Sequence, residues 1–167
     1  MWYDAQVVAL ALFVGDTARA SVVLREWTPA RLAKQLAPDG SQPEELARTR
    51  PLHYSVFNLD AMTRLAELGR HVGVNLWTWR GDSGVDLRKA TAYVAPYLNP
   101  ISKFRKPDIE PVHLVDLVRV VRRAAEALGD TALTSALRAA PVSLRENDRS
   151  RLFVLEPSSV RAAPRRR

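Results

Sequence analysis

Apolar positions recur with helical spacing along most of the chain. Val7, Val8, Leu10, Ala11, Leu12 and Val14 make residues 2–14 a mostly apolar run. Its Ala-rich continuity outlasts a typical strand and predicts a helix buried on most sides. Gly15 ends it, and Asp16 or Thr17 caps a second helix over residues 17–27 with Val22, Val23 and Trp27. Thr28-Pro29 reads as an N-cap followed by proline in the first turn, opening a third helix to about Leu36. Residues 55–69 place Val56, Leu59, Met62, Leu65, Ala66 and Leu68 on one stripe, with Asp60, Arg64 and Glu67 mostly off it. Helices are also predicted over 87–98, which Pro96 ends or kinks, over 112–128, and over 131–140. Alternation of the kind a strand needs is confined to Leu152–Leu155, so the chain reads as all-α, built from stacked antiparallel helical hairpins.

One segment interrupts the periodicity. Asp39-Gly40, bracketed by Pro38 and Pro43, is a turn. From Glu44 to Tyr54 the chain then gathers Glu44, Glu45, Arg48, Arg50, His53 and Tyr54 before the apolar stripe resumes at Val56. As a solvated loop, its arginines would pair with Glu44 and Glu45, and His53 and Tyr54 would pack half-buried at a helix start. As a site, Arg48 would hold an anionic group, because a guanidinium binds carboxylate through a planar fork and keeps its charge. Tyr54 would move a proton, a task open to a phenol beside positive charge.

Elsewhere candidate chemistry is sparse. His53, His71 and His113 lie far apart, without an accompanying carboxylate cluster, so no metal-ligand spacing is present. His71 suits a helix C-terminus, where a cation meets the dipole. Gln35 reads as a solvated side chain or a polar ligand contact and Trp79 as a candidate stacking face, while Trp77 is expected in the core. Lys103, Arg105 and Lys106 form a basic cluster that would suit a polyanion groove or a solvated loop. Nucleotide-binding and serine-hydrolase fingerprints are missing from the sequence.

The segment DGSQPEELARTRPLHY resembles the part of the alginate lyase family that carries its catalytic arginine and tyrosine. The family pattern is D-G-x-x-P-x-E-L-x-R with a tyrosine six or seven residues later, and Arg48 and Tyr54 fill those places. The opening Trp2-Tyr3-Asp4-Ala5-Gln6 is similar to a family helix that follows an Asn-Asn-His-Gly motif. The resemblance runs from Trp2 to about Arg151 and is strongest in the first half. It implies part of an (α/α) toroid and cleavage of a uronate polysaccharide, alginate (polymannuronate) first among them, by β-elimination. It implies Arg48 and Tyr54 as catalytic residues, with His53, Arg50, Gln35 and Trp79 as substrate contacts, and no cofactor. The family's Asn-His pair has no counterpart here, since Met1 stands where it would be. A truncated or split lyase is therefore expected, weakly active by itself and prone to self-association or to pairing with a missing N-terminal half. The rival reading is a non-catalytic helical module that binds an acidic polysaccharide or another polyanion.

Composition adjusts this picture modestly. The net charge is +7, but Arg161, Arg165, Arg166 and Arg167 supply four of those charges. The remainder is +3, a mildly basic body compatible with a polyanionic substrate, with nucleic acid an unlikely partner. Residues 1–157 are expected to be the helical portion and 158–167 a basic disordered tail. There is no cysteine, which removes disulfides and thiolate metal sites. Neither a membrane span nor a signal peptide is legible, although the resemblance implies a periplasmic or secreted protein.

Overall fold

In the computed structural model the described residues are 1–99, 102–106, 108–110, 112–141 and 143. The short alternation over Leu152–Leu155 and the expected basic tail lie outside them. Among the described residues eight α-helices follow in order: α1 Trp2–Phe13, α2 Thr17–Val22, α3 Thr28–Gln35, α4 Pro43–Leu46, α5 Pro51–Gly69, α6 Leu87–Val94, α7 Leu114–Leu128 and α8 Thr131–Ala139. The described residues contain no strand, so the all-α expectation holds.

The core forms around α5, which packs against α1, α4, α6 and α7. Thirteen of its nineteen residues are buried, including Ser55, Asn58, Asp60 and Thr63 as well as the expected Val56, Leu59, Met62 and Leu65. Each fully buried large aliphatic side chain contributes roughly 1.5–3 kcal/mol. The buried polar residues correct the reading of α5 as a helix with a polar outer face. Asp60 was expected off the apolar stripe, yet it is buried. It accepts from Arg64 Nε at 3.0 Å and from Arg123 Nη1 of α7 at 2.9 Å. A carboxylate removed from water needs such partners, and two guanidiniums supply them.

Other helix boundaries also moved. No N-cap forms at Thr28. The helix runs from α2 through a π-helical stretch, Val23–Trp27, directly into α3, and Thr28 keeps helical backbone angles. The π stretch absorbs the mismatch between the two helices, so the Thr-Pro pair continues the helix rather than restarting it. At Pro96, α6 tightens into a 3-10 turn, Ala95–Leu98, as proline's missing N–H allows.

Contrary to the sequence expectation, α1 is buried on one side only. Asp4, Ala5, Val8 and Ala11 face inward. Tyr3, Leu10, Phe13 and Val14 are exposed, Phe13 at 87%. Arg31 lies over the Tyr3 ring, while Leu10, Phe13 and Val14 are left uncovered by the described residues. Asp4 is held in the core by Arg31 of α3 at 3.2 Å. Burial pushes the Asp4 carboxyl above its usual range, against the opposing pull of Arg31 and the N-terminal amine.

Candidate functional site

The ionisable segment is not one loop. Pro43 opens the short helix α4, residues 47–50 form an irregular link, and Pro51 opens α5. His53 and Tyr54 therefore stand in the first turn of α5, not ahead of a helix starting at Ser55. The sequence concealed this start because Arg50 occupies the N-cap position and provides no side-chain hydrogen bond. The orphan amides of the first turn are satisfied from far away. Leu52 N–H donates to Asp108 Oδ1 at 2.9 Å and His53 N–H to Asp108 Oδ2 at 3.0 Å.

A chain of amides ties the link to the core. Gln42, 2% exposed, donates to the Ser55 carbonyl at 2.8 Å and accepts from Asn58 Nδ2 at 2.9 Å. Asn58 also donates to Gln35 Oε1 at 3.1 Å. Gln35, expected to contact sugar, thus already uses its carbonyl oxygen inside the protein. At the turn, Gly40 has φ +87, and a Cβ there would lie 2.4 Å from the Lys89 carbonyl oxygen. The Asp-Gly turn expected from sequence thus seats the segment against α6.

Arg48 and Tyr54 come together. The Arg48 guanidinium lies 3.7 Å from the centroid of the Tyr54 ring. Glu45, its expected partner, is 3.8 Å from Arg48, while the Arg48 side chain remains 51% exposed. At that distance the ion pair is long compared with a strong charge-assisted contact of about 2.7–2.9 Å. Arg50, expected to pair with Glu44 or Glu45 if it were merely a surface charge, instead meets Glu110 at 3.0 Å. Its guanidinium is therefore tied into the connector after α6.

From Tyr54 an aromatic row continues. His53 meets the Tyr54 ring edge-on at 5.2 Å and stacks on Phe57 at 6.3 Å. Phe57 touches Trp2 at 5.1 Å, and Trp2 Nε1 donates to the Phe57 carbonyl at 3.0 Å. Trp2, His53 and Phe57 of this row line a cleft of about 240 Å³ together with His113, Asp116 and Arg119, whereas Arg48 and Tyr54 are not among its lining residues. His53 and His113, distant in sequence, thus share one cleft with Asp60 and Asp116. Among the described residues, no group of three or more His, Cys, Asp or Glu is arranged to hold a metal ion. Burial, reinforced by Arg50, holds the His53 imidazole below its usual pKa, with Asp108 and Asp116 pulling the other way.

Trp79 is not part of this group. Trp77, buried as expected, donates to Glu67 near the far end of α5 at 3.3 Å. Trp79 is half-buried just beyond, beside Gly81. Tyr54 and Glu67 are separated by roughly 20 Å of helix. His71 is exposed in the 3-10 turn Arg70–Val72 that follows α5. Sequence reasoning missed Gln42, Asn58, Phe57, Asp108 and Arg119. Only the position of Gln42 just before a Pro-Glu-Glu helix start was a usable local signal.

Residues 1–104 match the family model described as alginate lyase. The chain belongs to the alginate lyase family. A solved alginate lyase from Bacteroides ovatus superposes with a TM-score of 0.82 at 26% identity, covering 92% of this chain and 41% of its own. No curated protein sequence matches. Arg48 and Tyr54 fall inside the alginate lyase match, whereas Asp108, His113, Asp116 and Arg119 lie beyond it.

Proposed function

We propose that this chain provides the arginine and tyrosine of a polysaccharide lyase site that cleaves alginate by β-elimination. The observation that carries the reading is the Arg48 guanidinium stacked on Tyr54 at 3.7 Å, half-open to solvent and beside the His53 cleft. In the reaction the C5–H bond breaks and a base takes the proton. The electron pair forms the C4–C5 double bond, the C4–O bond breaks, and the leaving oxygen receives a proton. The obstacle is charge, because the adjacent carboxylate resists further negative charge as the proton departs. Arg48 lowers that barrier by neutralising the carboxylate, which takes the place of the long Glu45 contact. Tyr54 protonates the leaving oxygen, and as a tyrosinate it would also be the group that takes the C5 proton. His53, whose protonated form is disfavoured by burial, contacts the sugar. Arg50 acts indirectly, by anchoring the segment through Glu110.

The uncovered apolar side of α1 is where a second copy or the remaining part of an (α/α) toroid would pack. The polymer is too large to cross a membrane, so the reaction belongs in the periplasm or outside the cell. No helix among the described residues is long and apolar enough to cross a membrane.

The test follows the ultraviolet absorbance of unsaturated uronate ends on polymannuronate. The chain covers 41% of the related lyase, so it is assayed alone and with the upstream half of a family lyase supplied. Activity that disappears in Arg48→Ala and in Tyr54→Phe supports the reading. Polymer retained on a column without unsaturated ends, in both conditions, replaces it with a binding module.

A further inference from the structure

The connector between α6 and α7 reaches back to the segment that carries Arg48 and Tyr54, and it does so at four successive points. Lys106 Nζ donates to the Leu46 carbonyl at 3.2 Å. Asp108 receives the amides of Leu52 and His53 at 2.9 and 3.0 Å. Ile109 N–H donates to the Thr49 carbonyl at 3.2 Å, and Glu110 pairs with Arg50 at 3.0 Å. These contacts bracket Arg48 on both sides and end one residue short of Tyr54.

The Asp108 contact differs from the others in kind. Helix α5 lacks a side-chain cap of its own, so its first turn is closed by a carboxylate 55 and 56 positions away in sequence. Carboxylate on two amides is also the favoured charge at a helix N-terminus. Tyr54 projects from that same turn, and its own amide donates to the Arg50 carbonyl at 2.9 Å. Without the cap, the first turn frays, and the phenol loses its fixed place against the Arg48 guanidinium. We infer that Asp108 is a positioning residue for the Arg48–Tyr54 pair, acting through the first turn of α5 rather than on substrate. The inference rests on the proposed lyase reading for its catalytic consequence, but its structural part stands independently.

The experiment compares Asp108→Ala and Asp108→Asn with Asp130→Ala. Asp130 is a suitable control because its carboxylate also receives two first-turn amides, those of Ala132 and Leu133, at a different helix. In the lyase assay, Asp108→Ala is expected to lower kcat by about 10- to 100-fold with KM little changed, the effect of misplacing a reacting group. Asn retains one acceptor oxygen and falls between Ala and the parent. Asp130→Ala lowers the melting temperature and leaves kcat unchanged.

A second readout needs no activity. Arg48 side-chain protons over the Tyr54 ring carry an upfield ring-current shift in the NMR spectrum, and the Leu52 and His53 amides exchange slowly with solvent. Asp108→Ala is expected to collapse the shift and speed exchange at those two amides, while Asp130→Ala alters neither. An unchanged ring-current shift with unchanged kcat in folded Asp108→Ala overturns the inference. If Arg48→Ala and Tyr54→Phe leave activity intact, the lyase reading fails by itself, and the NMR result still decides whether Asp108 holds the pair.

Discussion

Two helix starts in this molecule solve one problem in opposite ways. At α8 the amides are capped locally, with Arg88 of α6 pairing to the capping carboxylate. Gly129 turns the chain out of α7 with φ 60, and Asp130 accepts the amides of Ala132 and Leu133 at 2.8 and 3.0 Å. At α5 the N-cap residue Arg50 supplies no side-chain bond, and the carboxylate comes from Asp108 in a connector beyond α6. A local cap stabilises a helix whatever surrounds it. A borrowed cap makes the helix start conditional on the tertiary fold, so the position of Tyr54 depends on how a distant connector packs. On the inference above, the cap of α8 serves stability alone, whereas the cap of α5 also sets the position of Tyr54.

Activity separates the two helix starts most clearly. Arg48→Ala and Tyr54→Phe are each expected to reduce lyase turnover by about 10²- to 10⁴-fold, the range for losing a proton-transfer or charge-stabilising group. Ultraviolet assays on polymannuronate measure this, with Asp130→Ala remaining at the parent rate. A comparable loss in Asp130→Ala would erase the distinction between the two starts.

Next in size is Gly40→Ala. The left-handed backbone alone costs a non-glycine residue about 1–2 kcal/mol. The added methyl also meets the Lys89 carbonyl oxygen at 2.4 Å, backbone that cannot rotate away. Urea unfolding should show a loss larger than the backbone figure. An unchanged midpoint would mean that the segment is not seated against α6.

Asp130→Ala is expected to lower stability by about 0.5–2 kcal/mol, the usual range for a lost N-cap. The Asp130 carboxyl is held below its ordinary value of 3.8, first by the Leu133 amide and also by Arg88 at 2.6 Å. Its stabilisation is therefore complete above pH 3.8 and declines as pH falls through the lower folded value. Acid unfolding followed by circular dichroism should show Asp130→Ala with the shallower decline.

The smallest effect concerns His53. Its pKa is lowered from 6.5, so below that pH the unfolded chain binds the proton more readily than the folded one. Stability is expected to fall as pH drops below 6.5 toward the folded value, and His53→Gln should flatten the slope. An identical slope in the two proteins would show that the imidazole is as well solvated in the fold as in the unfolded chain.

Much of the helical order was legible because it rests on periodicity and short-range punctuation. The ends of α1, α7 and α8 fall within about two residues of where Gly15, Gly129, Asp130 and Pro141 put them. The Arg48 and Tyr54 pairing was legible as a motif resemblance, and the structure brings those two side chains into contact. The burial of Asp60 was not legible, because its second partner, Arg123, lies 63 positions later.

That the chain is helical, where most helices lie, and which segment concentrates ionisable groups could all be read from residue order alone. Those properties follow from neighbours within about one or two turns, whose spacing is written directly in the chain. Packing settled that α5 begins at Pro51, that Gln35 serves Asn58, and that Trp79 lies near the opposite end of α5 from Tyr54. It also placed His53 and His113 across one cleft. These outcomes depend on pairings across 23 to 63 positions, between Gln35 and Asn58, Leu52 and Asp108, and Asp60 and Arg123. No local pattern encodes such pairings, because the amide, carboxylate and guanidinium groups involved find each other only once the helices have packed.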